Sequence, residues 1–427
     1  MKQTYPTGTK ILLLNQTFYP DVASTAQHAA DLALRLTAEG AQVTVISGRR
    51  SYDRPDVRLL PEEVWNGVQI YRVFVPGLGK AALWRRALDF ASFLASCSLR
   101  LATLPKFDVV VALTSPPLIA LPAALFARYK RSKMVSWIMD LNPDQAIAAG
   151  TLRENSVAGR FLGGLLRFCL FRSDRIVVLD EFMQRRILDK GVPEEKIVVI
   201  PPWSHDSAVR YDSAARASFR AQYGLEGKFV VMYSGNHSPC HPLDTLLQAA
   251  ERLFDEPDIA FCFIGGGTEF AKVKAFAQAH KLANIVCLPY RPIAELSGSL
   301  SAADLHVVVM GDAFVGIVHP CKVYNIMSLG IPFLYIGPRP SHITSLVGED
   351  AEDRWAFFSK HGEVDRVVEQ ILQVRRIAPQ RQQAAMAIAS KYSGDVLMPR
   401  MTQALRFIAE AEPQEELPTT TEAAPHR

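Results

Sequence analysis

The 427-residue chain has little of what would mark it as secreted, metal-built or membrane-spanning. Its six cysteines, Cys97, Cys169, Cys240, Cys262, Cys287 and Cys321, are scattered through apolar stretches, and none forms a C-x-x-C pair. This spacing excludes a zinc ribbon and a disulfide framework and reads as reduced, buried thiols of a cytosolic protein. No stretch reaches the roughly 18 uncharged apolar residues that a spanning helix needs. The N-terminus MKQTYPTGTK runs straight into the apolar residues 11–14, without the ordered charged region, long apolar core and cleavage site of a signal peptide. Charge of one sign is scarce as well. A net charge of +4, with 21% charged residues, gives no basic field for a nucleic-acid partner, yet suits an anionic ligand or lipid surface. No Asp-x-Asp pair stands in a ligand context, so neither metal nor resident cofactor is expected.

What is present is globular composition, 49% apolar, at a length that predicts two domains of roughly 200 residues. Short β-branched runs alternate with helical stretches. Strands are expected at 10–15, 42–47, 69–74, 108–113, 133–138, 175–179 and 196–200, with a first helix over 24–39. PPWSHDS at 201–207 breaks the pattern. It then restarts with strands at 229–233, 259–264, 284–288, 304–309 and 332–336, followed by helices over 362–376, 378–391 and 396–411. Continuous apolar strands require cover on both faces, which means parallel sheets under helices. The fold class is therefore α/β, two doubly wound Rossmann-like domains facing across a cleft that collects the C-terminal strand ends. The expected boundaries are 1–203, 204–395, a helix over 396–412 packing back on the first domain, and a disordered Pro-, Thr- and Glu-rich tail at 413–427.

Four segments carry chemistry. Gly235 and Asn236 end the first strand of the second half, with His237 and His241 in the turn before a helix near Pro242. A glycine that lets backbone approach a ligand, next to a helix N-terminus, suits a phosphate; an ordinary βα turn is the plainer alternative. Gly265, Gly266 and Gly267 follow the next strand, a weaker signal of the same kind. His319-Pro320-Cys321-Lys322 opens a short helix that ends at Gly330. A lysine in a first turn opposes the helix dipole unless an anion binds there, when cation and dipole act together. Asp140, after the strand 133–138, puts a carboxylate at a strand's C-terminal end, where a turn-forming aspartate is the alternative. His28, near the start of the first helix, is placed to face the cleft.

In this order, the segments NQTFYPDVASTAQ (15–27), DLNPDQAIAAG (140–150), SDRIVVLDEFMQRRILDKGVPEEKIVVIPPW (173–203), MYSGN (232–236), FIGGGTE (263–269), NIVCLPYRP (284–292) and PCKVYNIMSLGIP (320–332) carry a resemblance over residues 10–410. The chain resembles the retaining GT-B glycosyltransferases of family 4, especially the WbuB-like bacterial polysaccharide and O-antigen enzymes. The resemblance implies an acceptor-binding first domain and a nucleotide-sugar-binding second domain. It implies that Lys322 contacts the donor diphosphate and that Gly235, Asn236, His237, His241, Gly265, Gly266, Gly267, Tyr290, Arg291, Tyr324 and Asn325 line the donor site. Asp140 joins Lys322 as a catalytic residue, and Ser24, Thr25 and His28 belong to the acceptor side. The chain departs from the pattern at Ile317 and Asn325, where many members carry glutamates, and at Cys321, where serine is usual.

The expected reaction is retaining hexosyl transfer from a nucleotide sugar to a lipid-linked or oligosaccharide acceptor. The apolar, arginine-bearing segments 81–106 and 160–172 add an expected contact with the inner face of the cell membrane. Two other readings keep the same architecture: a nucleotide-sugar-binding scaffold without turnover, suggested by the missing carboxylates, and an enzyme like the UDP-sugar 2-epimerases.

Overall fold

The computed structural model describes residues 5–6, 8–51, 57–78, 83–204, 209–348, 351–377 and 381–407. The expected tail at 413–427 lies outside them. The first sheet comprises β1 (Lys10–Leu14), β2 (Gln42–Gly48), β3 (Glu62–Trp65), β4 (Val68–Val73), β5 (Val109–Ala112), β6 (Lys133–Trp137), β7 (Arg175–Val178) and β8 (Ile197–Val199), in the spatial order β3-β4-β2-β1-β5-β6-β7-β8. The second comprises β9 (Phe229–Asn236), β10 (Ile259–Gly266), β11 (Ile285–Leu288), β12 (Leu305–Val309), β13 (Phe333–Ile336) and β14 (Ala356–Ser359), in the order β11-β10-β9-β12-β13-β14. Pairing is parallel except between β3 and β4. Each sheet reverses its strand order beside a central strand, the topology that places ligands beyond the carboxyl ends.

Helices cover both faces. In the first half they are α1 (Ser24–Ala38), α2 (Leu83–Thr103), α3 (Ala120–Lys130), α4 (Asp144–Ala148), α5 (Val157–Arg172) and α6 (Glu181–Asp189). In the second they are α7 (Ser213–Gln222), α8 (Asp244–Arg252), α9 (Phe270–Ala279), α10 (Leu296–Ser301), α11 (Lys322–Leu329), α12 (His342–Val347), α13 (Val364–Ile377), α14 (Gln383–Ser390) and α15 (Gly394–Ala404). The sandwiched strands are buried throughout, including all of β5, β12 and β13. That is why they read as unbroken apolar runs.

Two strands lie outside the sequence reading. β3 is a polar edge strand paired to β4 through Asn66 and Gly67, both at positive φ, the hairpin turn that Asn-Gly favours. β14 is four residues long and sits at the far edge of the second sheet.

The chain crosses back at its end. Helix α15 lies against α1, and the Tyr5 hydroxyl donates to the Thr402 carbonyl at 2.8 Å. Within the second half, Asp304 ties α7 to the sheet. Its carboxylate accepts from Arg216 and Arg220, each at 2.6 Å, and from the Val230 amide at 2.7 Å. Removing the carboxylate leaves two guanidinium groups without their counter-charge in a largely buried site. Asp304→Ala is expected to lower stability by about 3 kcal/mol in urea denaturation, with the first domain unaffected.

Candidate active site

The site is built where β9 and β10 end side by side. They pair in register through Gly235 with Gly265 and Asn236 with Gly266. A Cβ at Gly265 would run into the Gly235 carbonyl oxygen, and one at Gly267 into the His237 carbonyl. Both residues are also at positive φ (139° and 125°), where side chains are strained. These two glycines are therefore required by the approach of one turn to the other, before any ligand is considered. Gly266 lies under the Tyr290 ring, whose hydroxyl donates to the Gly266 carbonyl at 3.3 Å.

Lys322, the first residue of α11, reaches into this corner. Its Nζ lies 3.6 Å from the Tyr233 ring centroid and 3.1 Å from where a Gly235 Cβ would be. Nζ is shielded from water and has no hydrogen-bond partner. Burial pulls its pKa down to about 7, with only the Cys321 thiol working in the other direction. A solvated surface lysine would show none of this. Tyr233, whose ring lies against Lys322 Nζ, was not among the expected site residues. Its signal was its place at the end of an apolar strand, indistinguishable there from a core tyrosine.

The two histidines differ from expectation. His237 is fully buried, donates from Nδ1 to the Gly235 carbonyl at 3.0 Å and packs edge-on against Tyr233 and Phe270. Its amide is taken by the Gly266 carbonyl at 2.8 Å. His241 donates from Nδ1 to the Val309 carbonyl at 2.7 Å. Burial, then the charge of Lys322, push their pKa values down to about 4 and about 3, so both are neutral and neither adds positive charge for a phosphate. They hold the turn in shape.

Other expected residues separate into those that face the site and those that do not. Asn325 lies one turn beyond Lys322 on the same face of α11. Arg291 donates from Nε to Glu295 at 3.1 Å and lies over the Tyr223 ring. Tyr324 is buried on another side of α11, with its hydroxyl 2.9 Å from His319 Nε2. His28 is also a correction. It is buried, with Nδ1 2.8 Å from the Ser24 carbonyl and Nε2 3.1 Å from the Trp203 carbonyl, so packing holds it away from the cleft.

Across the cleft the first domain presents Ser24, Thr25 and Asp140. Ser24 is exposed at the start of α1, close to the Cys321 thiol next to Lys322; that thiol donates to the His319 carbonyl at 3.2 Å. Thr25 bonds Thr17 at 3.1 Å. Asp140 is half-buried, and its amide donates to Thr114 Oγ1 at 3.3 Å. Burial pushes its carboxyl up to about 6 against the opposing charge of His319. Asp140 and Lys322 thus come from two domains, and burial moves the pKa of each toward neutrality. Ile317 is buried among apolar side chains, and its carbonyl accepts from the Leu141 amide at 2.9 Å.

Two facing Rossmann-like sheets with a shielded cation at the switch point of the second are the architecture of a GT-B transferase. Residues 25–203 match the glycosyl transferase 4-like domain and residues 215–386 the glycosyl transferases group 1 domain. The Escherichia coli (strain K12) glycosyl transferase WcaI, named for colanic acid biosynthesis, is 26% identical over 341 residues, 75% of this chain and 81% of its own. The Pseudomonas aeruginosa glycosyltransferase WbjE is 28% identical over 276 residues, 64% and 68% respectively. Among solved structures, sucrose-phosphate synthase from Thermosynechococcus elongatus superposes with a TM-score of 0.73 at 13% identity, covering 92% of this chain and 98% of that one. Anabaena HepE, in complex with UDP and glucose, gives 0.69 at 15% identity, covering 93% and 99%. The chain is a glycosyltransferase of the GT-B fold.

Gly265→Ala forces the two turns apart and moves the surface beneath Lys322. It is expected to abolish the thermal stabilisation that a nucleoside diphosphate gives the wild type, while far-ultraviolet circular dichroism keeps the α/β spectrum. Retained stabilisation would mean that the β9–β10 corner is not the diphosphate site.

Proposed function

We propose that the enzyme transfers a hexose from a nucleoside-diphosphate sugar to a lipid-linked saccharide in cell-surface polysaccharide assembly, with retention at the anomeric carbon. The observation that carries this reading is Lys322 Nζ, held out of water over Gly235 and Tyr233 with no hydrogen-bond acceptor. A buried ammonium in that state is complementary to an anion not yet bound. The likeness to WcaI and to HepE, whose structure holds UDP and glucose, supports a nucleotide-sugar donor and a polysaccharide product.

In this reading residues 204–395 bind the donor, residues 1–203 the acceptor, and the end of the chain from 396 returns to the first domain. The C1–O bond to the diphosphate breaks as the acceptor oxygen bonds C1 on the same face. Negative charge grows on the leaving diphosphate, where Lys322 and the amides at the start of α11 stabilise it; such electrostatic preorganisation is usually the largest catalytic contribution. The acceptor proton passes to the departing phosphate oxygen, and Asp140 orients the acceptor hydroxyl. No step calls for a metal or a resident cofactor.

The test is binding and turnover with a panel of UDP-, GDP-, dTDP- and ADP-sugars. One donor is expected to be consumed, and Lys322→Ala to lower kcat by roughly 10²–10³-fold. In the free enzyme Asp140 must be ionised and Lys322 protonated. The kcat/KM profile should therefore rise through about pH 6, fall through about pH 7, and lose its acid limb in Asp140→Asn. Binding without turnover for every donor would favour the scaffold reading; no binding at all would overturn the donor site.

A lipid-linked acceptor requires contact with a membrane surface. Among the described residues no helix is long and apolar enough to cross a bilayer. The helices α2, α3 and α5 pack in succession and expose Trp84, Leu99, Tyr129 and Phe161, each at least 60% accessible, beside Arg85, Arg86, Arg128, Arg160 and Arg167. Apolar side chains among arginines suit the interface of an anionic bilayer. The enzyme should co-sediment with vesicles containing phosphatidylglycerol and not with pure phosphatidylcholine. Trp84→Ser with Phe161→Ser should release it at unchanged melting temperature.

A further inference from the structure

Between β12 and α11 the chain forms a strap, residues 315–319, that is bonded to the first domain along its length. Arg186 Nε donates to the Val315 carbonyl at 2.6 Å. Gly316 lies against the Phe182 backbone, where a Cβ would come within 2.5 Å of the carbonyl oxygen. The Leu141 amide donates to Ile317, and His319 Nδ1–H donates to Asp180 Oδ2 at 2.7 Å. Asp180 follows β7, and its other oxygen caps α6 by accepting from the Met183 amide at 2.8 Å. Burial alone would push this carboxyl up, but the bond and charge of His319, with lesser help from His342 and Met183, bring it down to about 2.

Asp180, His319 and His342 have the donor chemistry of a transition-metal site, and their ligand atoms lie within 4.8 Å of one another. Their arrangement does not suit one. The two imidazoles stack face to face with centroids 4.0 Å apart and 25° between planes, so a single ion cannot lie in the plane of both lone pairs. Both His319 nitrogens are also engaged, Nδ1 with Asp180 and Nε2 with the Tyr324 hydroxyl. Within the cluster the Asp180–His319 pair is a hydrogen-bonded joint between two domains, while both nitrogens of His342 are buried with no hydrogen-bond partner.

We propose that the Asp180–His319 pair is a positioning device that holds Lys322 in register with the first domain. The inference rests on Lys322 being the diphosphate contact. His319 stands three residues before Lys322, with the fixed φ of Pro320 between them. Tyr324 stands two residues after and is bonded back to His319. Lys322 is thus bracketed by two anchors on one imidazole, and that imidazole is itself anchored across the cleft. Loosening the bond to Asp180 lets the start of α11 shift, and the ammonium leaves the diphosphate.

Two substitutions separate the anchors. In His319→Asn the amide nitrogen stands where Nδ1 stood and keeps the bond to Asp180. In His319→Gln the longer amide keeps only Tyr324, within the same domain. The probe is calorimetric binding, to the full chain, of the nucleoside diphosphate that the wild type prefers among UDP, GDP, dTDP and ADP. His319→Asn should bind like the wild type, and His319→Gln on the order of tenfold more weakly. In the Lys322→Ala background His319→Gln should cost nothing further, because the two act through one contact. If His319→Gln fails to fold, Asp180→Ser replaces it, since serine still caps α6 but cannot reach His319. Equal binding by the Asn and Gln variants, or a loss that adds to that of Lys322→Ala, would overturn the positioning role and leave the donor site standing. A wild type that binds none of the four would remove both readings.

Discussion

An ammonium group without water and without a hydrogen-bond acceptor is costly, and the second domain is arranged around one. Desolvation alone would favour expelling Lys322 Nζ to solvent or neutralising it. Here the side chain is retained over Tyr233, whose ring face offers a weak electrostatic attraction at 3.6 Å. The neighbouring histidines are neutral, so they do not add a second cation that would raise the cost further. Gly235, lacking a Cβ, leaves room for the ammonium beside the end of β9. Each feature is explicable as support for a charge whose partner arrives with the substrate.

The same corner depends on the other domain. The first sheet ends at Asp140 and Asp180, and the loops there meet the strap that leads into α11. Backbone bonds at Val315 and Ile317 and the side-chain bond at His319 are spaced along a stretch of five residues, so the strap cannot move at one point alone. Asp140 is the immediate chain neighbour of Leu141, the donor to Ile317. Asp140 and Lys322 are therefore tied to one inter-domain contact, the first through its neighbour Leu141 and the second through the strap that leads into α11.

Much of the fold is legible in the sequence because buried parallel strands leave unbroken apolar runs. Residues 10–14, 229–233 and 305–309 each read as strands and form strands. β3 escapes because Glu62 and Glu63 give it a polar edge; only the Asn66-Gly67 turn betrays it. Lys322 and Gly235 are brought together as the motif order implies, since strand ends and helix starts on one sheet converge. The direction of a side chain around a helix is harder to read. Tyr324 and Asn325 are consecutive, yet one turns into the joint with His319 while the other stays on the Lys322 face. His28 and His237 looked available because sequence shows a polar residue but not the carbonyls that engage both nitrogens of His28 and Nδ1 of His237. Asp180 caps α6, and nothing local in the sequence shows that its second oxygen reaches 139 residues along the chain to His319.

Ile317 shows how these constraints meet. In the family this chain resembles, a glutamate is common at this position and at that of Asn325. Here the side chain is buried in the core and the carbonyl is bonded across the cleft. A carboxylate beside Lys322 would stabilise its charge and raise its pKa; with none contributing, burial holds the pKa at about 7. On the proposed reading the incoming diphosphate is then the counter-charge for Lys322. A site of that kind gains more from its substrate than one whose lysine is already paired, and it does so only while the strap keeps the ammonium in place.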